Sequence, residues 1–259
     1  VQGLAQLRKV SNAPGLVHVA SAADQKFGDY LSISRYSRWI TAEVAAGDFG
    51  SVAGTQLEQE LLLSLAFHIT ALLKIRVGGG LFAPASSSCS WDTVAIAPPG
   101  TVRFHLLDDV PHVAFCATEP RAISTEDLVW IAHHWESAYE LRNAMNSRRF
   151  GLAYNLIHTW NHVSDLRLAI ANLWCALEAL FGRNEQQLSA KLSMRIARWL
   201  PQISASKVRK LYDIRCQAVH GRWLDETKTI NAIKETERIL RLSLQKCIET
   251  RIKTLPDEA

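Results

Sequence analysis

The stretch YDIRCQAVHG, Tyr212 to Gly221, sets an arginine inside an apolar helical pattern and closes on a histidine and a glycine. On a wheel of about 100° per residue, Val208, Leu211, Tyr212, Arg215 and Val219 fall on one arc, with Arg215 near its centre. A permanent charge in such a stripe needs a counter-charge, water or an anionic ligand, because an unpaired buried charge costs several kcal/mol. Two roles satisfy that demand: a structural salt bridge, or a site for phosphate or another anion. Gly221 is the residue type expected just past a helix C-terminus, which places His220 at the helix end. Carbonyl dipoles there favour a protonated imidazole and suit it to proton exchange near neutral pH. Arginine for charge and histidine for protons is the pair that metal-free phosphodiester chemistry requires. As a bare spacing it carries little weight, since a chain this rich in both residues should show it about once by chance.

Outward from this stretch, nearly everything after Ser124 has helical periodicity. Ser124 caps a helix over about 126–146, with Asp127 in the capping-box position and Leu128, Ile131, Trp135 and Tyr139 as its stripe. Further helices are expected over roughly 149–160, 163–182, 186–199, 205–220 and 226–250. The last carries Ile230, Ile233, Leu240, Leu244 and Ile248 on one face and Glu237 with Arg241 at i, i+4 on the other. Earlier, Thr55 and Glu58 frame a helix over 57–77, stopped by Gly78-Gly79-Gly80 and followed by a loop over 81–90. Strands are expected at 93–97 and 101–107 around a turn at Pro98-Pro99-Gly100, and a weaker one at 29–36. The expectation is a mainly α protein: a mixed α+β N-terminal region, residues 1–120, ahead of a helical domain, residues 121–259, with the boundary near Glu119-Pro120.

At 259 residues and 48% hydrophobic content the chain can bury a substantial core. Five scattered cysteines without a CxxC argue against a disulfide framework and a zinc cluster and fit a reducing cytoplasm. The longest apolar run, Leu61 to Leu73, is too short to span a bilayer, and the start, at Val1, lacks a basic segment followed by an apolar core. A soluble, cytoplasmic protein with no membrane partner is the expectation. Net charge is +4 and uneven, with 21 Lys+Arg against 15 Asp+Glu in residues 121–259 and 8 against 10 before them. The basic half permits a polyanion partner without demanding one.

In this context LYDIRCQAVHG resembles the signature of the HEPN superfamily, in particular its Apea-like branch, where a helix ends in an arginine, four to six residues, a histidine and often a glycine. LWCALEALFG, 173–182, looks like that family's earlier core helix, its leucine-glutamate pair falling on Leu177 and Glu178. QLSAKLSMRIARWL, 187–200, is similar to the helix between the two. The resemblance covers roughly 124–252. It implies a HEPN-type helical bundle that forms a homodimer, bringing two arginine-histidine motifs together to cleave RNA without metal or cofactor, in a defence or toxin system. Arg215 and His220 would be catalytic, the first stabilising charge on the phosphate and the second exchanging protons with the 2′-hydroxyl or the leaving 5′-oxygen. The expected products are a 2′,3′-cyclic phosphate and a 5′-hydroxyl end.

Glu178, on the flank of the stripe Leu166, Ile170, Leu173, Leu177 and Phe181, is the candidate partner of Arg215. Tyr212 and Cys216 complete the supporting set. Arg222 and Trp223 are the candidate substrate contacts, Trp223 either stacking on a base or sealing the bundle end. Active HEPN members commonly carry a polar residue directly after the arginine. Cys216 there is a weak hydrogen-bond donor. A non-catalytic HEPN adaptor, dimerising and binding a nucleotide or a partner protein, is therefore the alternative, and an enzyme with its site wholly in residues 1–120 is a third reading.

Competing constellations are weaker. Of His133, His134 and Glu136, only His133 and Glu136 share a face, which reads as solvated helix. His68 reads as a core histidine with one hydrogen bond. Asp108-Asp109 with His105 and His112 sits beside Pro111 and reads as a turn. The triple glycine lacks the GK[ST] of a phosphate loop. Trp130, Trp135, Trp160, Trp174 and Trp199 fall in helix stripes and read as core.

Overall fold

The computed structural model describes residues 5–9, 42–46, 56–78, 85–87, 89–94, 96–102, 104–106, 123–144, 148–163, 165–182, 188–221 and 225–252. The strand expected at 29–36, the Thr55 end of the expected cap, and Asp108, Asp109, His112, Arg222 and Trp223 lie outside these residues. The chain divides into two compact units, Val1–Phe67 with Phe82–His112, and His68–Leu81 with Val113–Ala259. The architecture is mainly helical.

In the first unit, β1 (Ala5–Lys9) pairs antiparallel with β2 (Ala42–Ala46), and β3 (Ala85–Ser87) with β4 (Phe104–Leu106). Strand β3 lies within the 81–90 stretch read as a loop. The strand expected at 93–97 is instead overlapped by a one-turn helix, α2 (Trp91–Val94). Ser90 accounts for the change: its hydroxyl accepts from the Thr93 amide at 3.3 Å and its carbonyl from the Val94 amide at 2.9 Å. Local bonds from a cap residue hold the chain in a turn against β propensity. Ile96, next along, is 84% exposed. The turn at Pro98–Gly100 forms, with Gly100 at φ +71° and the Thr101 hydroxyl donating to the Pro98 carbonyl at 2.6 Å. Helix α1 (Gln56–Val77) begins in this unit and from His68 onward belongs to the second.

The second unit is a bundle of α3 (Thr125–Asn143), α4 (Arg148–Thr159), α5 (Leu166–Phe181), α6 (Leu188–Trp199), α7 (Ala205–Val219) and α8 (Glu226–Thr250), joined by the end of α1. Helix starts follow from caps. The Ser124–Asp127 capping box forms, Asp165 accepts from the Arg167 amide, Ser204 from the Lys207 amide and Asp225 from the Lys228 amide. Each such cap stabilises its helix by about 1 kcal/mol. The α5 stripe is buried as expected at Ile170, Leu173, Leu177 and Phe181, with Trp174 and Ala176 beside it. Trp130, Trp160, Trp174 and Trp199 are core, while Trp135 is half-buried.

The α8 stripe is buried as expected at Ile233, Leu240, Leu244 and Ile248, whereas the α3 stripe and the opposite face of α8 are corrected. In α3 the buried face is Asp127, Trp130, Ile131, Ser137, Ala138 and Leu141, and Tyr139 is exposed. The face turns because Asp127 is drawn inward, bonding Arg76 Nε at 2.9 Å as well as the cap. In α8 Glu237 does not face solvent; it is fully buried, and Arg241 Nε reaches its carboxylate at 3.1 Å. Arg241 also donates to the Arg76 carbonyl at 3.4 Å and lies against Gly78, which ends α1 at φ +83°. Buried charge is tolerated here because it is paired and also satisfies a helix end.

The end of α1 carries buried polar side chains into this core. Lys74 is fully buried, its ammonium donating to Asn161 Oδ1 at 2.9 Å and to the His158 carbonyl at the end of α4. His68, also buried, exceeds the single hydrogen bond expected: Nδ1 meets the Tyr154 hydroxyl at 2.7 Å and Nε2 the Trp135 carbonyl at 3.2 Å. Burial pushes its pKa down to about 4, against a smaller upward pull from the Trp135 carbonyl.

Two outcomes follow from this core. His68 is neutral in the folded chain and protonates more readily once unfolded, so its contribution is complete above about pH 6.5 and is lost as pH falls toward about 4. The loss amounts to about 3 kcal/mol, read as the difference between urea-unfolding stabilities of wild type and His68→Gln across that window. Gly78→Ala forces a left-handed backbone on alanine and sets its Cβ 2.9 Å from the Arg241 guanidinium carbon. It should cost about 1–2 kcal/mol in the same assay.

Candidate functional site

Helices α5 and α7 carry the candidate residues. The apolar run of α5 packs it against α4, α7 and α8, which leaves Glu178 on its rim. On α7, Val208, Leu211 and Ala218 are buried, Tyr212, Arg215 and Cys216 half-buried, and Val219 is 50% exposed. On the wheel Arg215 still falls inside the buried arc, between Val208 and Leu211, yet the residue is only half-buried, and Ala218, not Val219, continues the packed face. Its side chain keeps 21% of its surface in solvent.

The structure brings Arg215, Glu178 and Tyr212 together. Arg215 Nη2 lies 3.3 Å from Glu178 Oε1, and the guanidinium carbon stands 5.5 Å from the centre of the Tyr212 ring. Tyr212 in turn meets the fully buried Trp174 edge to face, ring centres 5.1 Å apart and planes at 89°. Burial works against the charged form of Arg215, but the Glu178 carboxylate, with Cys216 and Tyr212, more than offsets it and raises the guanidinium pKa. Burial and the same carboxylate push the Tyr212 phenol upward. The pair is not an ideal one. A well-made arginine-carboxylate contact is bidentate at about 2.8 Å, whereas here Arg215 Nε and Glu178 Oε1 are both sealed from solvent without a hydrogen-bond partner.

His220 is the C-cap of α7, its amide donating to the Cys216 carbonyl at 3.0 Å, and its side chain is on an exposed residue. Gly221 follows at φ +69°, the left-handed conformation that ends a helix and that glycine adopts without strain. Five residues of regular helix leave Arg215 and His220 about 140° apart around the axis and about 7.5 Å apart along it. One copy of α7 thus presents the charge and the proton carrier on different sides.

Of the competing histidines, His134 is held by its own helix: Nδ1 contacts the Trp130 carbonyl at 3.1 Å and the ring stacks on Trp130. Burial lowers its pKa. Among the described residues no three His, Cys, Asp or Glu side chains are placed to hold a metal ion, and no helix is long and apolar enough to cross a membrane. Sequence reasoning missed the buried Lys74 and Glu237. The only signal for either was a charged residue on or beside an apolar face.

The Glu178–Arg215 pair should contribute modestly. A double-mutant cycle with Glu178→Gln and Arg215→Gln, followed by urea unfolding, is expected to give a coupling of about 0.5–1 kcal/mol. Glu178→Gln should change stability and site geometry more than any chemical step. Comparison with protein-family models, with curated proteins and with solved structures finds no match to this chain.

Proposed function

We propose that the protein is a metal-independent endoribonuclease of the HEPN type, acting as a homodimer through its helical domain, in a defence or toxin system. The observation that supports it most is a half-buried arginine on α7 followed, at the capped end of the same helix, by an exposed histidine. Because one helix turns them to different sides, a second copy is the natural source of the complementary group. Two α7 helices facing across a two-fold axis would set the arginine of one near the histidine of the other.

In this reading a neutral His220 imidazole accepts the proton of a 2′-hydroxyl while that oxygen attacks the adjacent phosphorus. The 5′-oxygen leaves and takes a proton from the protonated His220 of the second copy. Arg215 offsets the charge that collects on the non-bridging oxygens. Atoms balance with a 2′,3′-cyclic phosphate and a 5′-hydroxyl as products. Arg222 and Trp223 would grip the backbone and a base on either side.

Two observations favour the adaptor as a second reading: Arg215 already has a carboxylate beside it, and Cys216 is a weak donor where active members carry a polar group. The test that separates them is RNA incubated with the full chain in excess chelator. Cutting is expected, reduced at least about 100-fold by Arg215→Ala and by His220→Ala. Cutting that survives either change, or that requires metal, overturns the nuclease. A wild type that never cuts, yet loses dimerisation or nucleotide binding on Arg215→Ala in sedimentation and titration experiments, is the adaptor.

A further inference from the structure

We infer that Glu178 is an internal competitor for the anion site of Arg215, an intramolecular carboxylate that an incoming RNA phosphodiester must displace. The inference rests on the reading of Arg215 as a phosphate-binding group, and it does not depend on cleavage.

Three observations carry it. The contact is a loose one, with Nη2 3.3 Å from Oε1. Arg215 Nε and Glu178 Oε1 are shielded from water yet neither has a hydrogen-bond partner. The two side chains nonetheless keep 21% and 24% of their surface in solvent, so the pair stands at the rim of the bundle and not in its interior. A structural salt bridge built for stability would use both guanidinium edges, and two neighbouring polar atoms without partners are costly. A phosphodiester has the same single charge as the carboxylate and two non-bridging oxygens with which to engage Nε and Nη2. To take Nη2 it must displace the carboxylate that now lies 3.3 Å from it.

Tyr212 makes the exchange workable. Its ring lies beside the guanidinium and is itself braced by the buried Trp174, so Arg215 keeps its place while the carboxylate swings out. Glu178 is free to do so because it lies on the α5 rim, and the apolar face of α5 does not depend on its position. The resting site is then close to neutral, which holds off small anions and passing polyphosphates and reserves the arginine for a ligand that makes additional contacts.

The test is equilibrium binding of a short 2′-O-methyl RNA, which lacks the attacking hydroxyl, to the full-length chain. If the carboxylate occupies the arginine most of the time, its removal should tighten binding about three- to tenfold. Glu178→Gln should show that gain, and Glu178→Asp, whose shorter arm withdraws the charge, a gain in the same direction should the Gln form fail to fold by circular dichroism. Arg215→Ala should abolish binding in either background. Binding that is unchanged or weaker in the Glu178 variants, while Arg215→Ala still loses it, overturns the competitor and leaves the anion site standing. Binding that ignores Arg215→Ala, or no binding by any form, overturns both.

Discussion

Helix α5 has little surface to spare for solvent, and that constraint locates the candidate site. Trp174, Ala176, Leu177, Leu180 and Phe181 are buried on either side of Glu178. Truncating a buried tryptophan costs about 3–5 kcal/mol, several times what a rim ion pair contributes. Packing of Trp174 on Tyr212 therefore sets how α7 lies, and the meeting of Arg215 with Glu178 is its consequence. The C-terminal end of α5 is secured from other helices, since Arg195 Nη1 donates to the Phe181 carbonyl at 3.1 Å and Arg149 donates to the Gly182 carbonyl.

The helical half was largely legible because its signals are local. Ser124, Ser204 and Asp225 mark helix starts through bonds to amides three residues on, and such caps need no tertiary context. The apolar period of α5 was equally plain. What the pattern missed is what distant residues decide. Glu237 and Arg241 look like a surface i, i+4 pair until α1 is laid beside them, and Lys74 looks misplaced until Asn161 and the His158 carbonyl are in reach. Val219 completes an arc on paper, whereas Ala218 is the residue that packs. At 93–97 the apolar β-branched residues pointed to a strand, and one serine's hydroxyl and carbonyl outweighed them.

The polar core bears on specificity more than on stability. Replacing a buried ion pair with apolar groups is often neutral or stabilising, whereas removing one partner is strongly destabilising. Lys74 bonds the end of α4, Arg76 bonds α3, and Arg241 of α8 bonds the Arg76 carbonyl. Trp130 adds a direct tie between α3 and α8 through Glu249 at 2.9 Å. Together these contacts fix the rotation of α1 against three helices far from it in sequence. A wrong register would strand a charge in apolar surroundings.

That arrangement limits how the chain can be divided. An excised fragment starting at residue 121 would keep every candidate catalytic side chain and yet lack His68, Lys74 and Arg76. Tyr154, Asn161 and Asp127 would then face an empty slot lined with polar atoms. Cutting upstream of His68, within the first turns of α1, preserves the bundle's full complement of helices, so that is where dissection of this protein should begin.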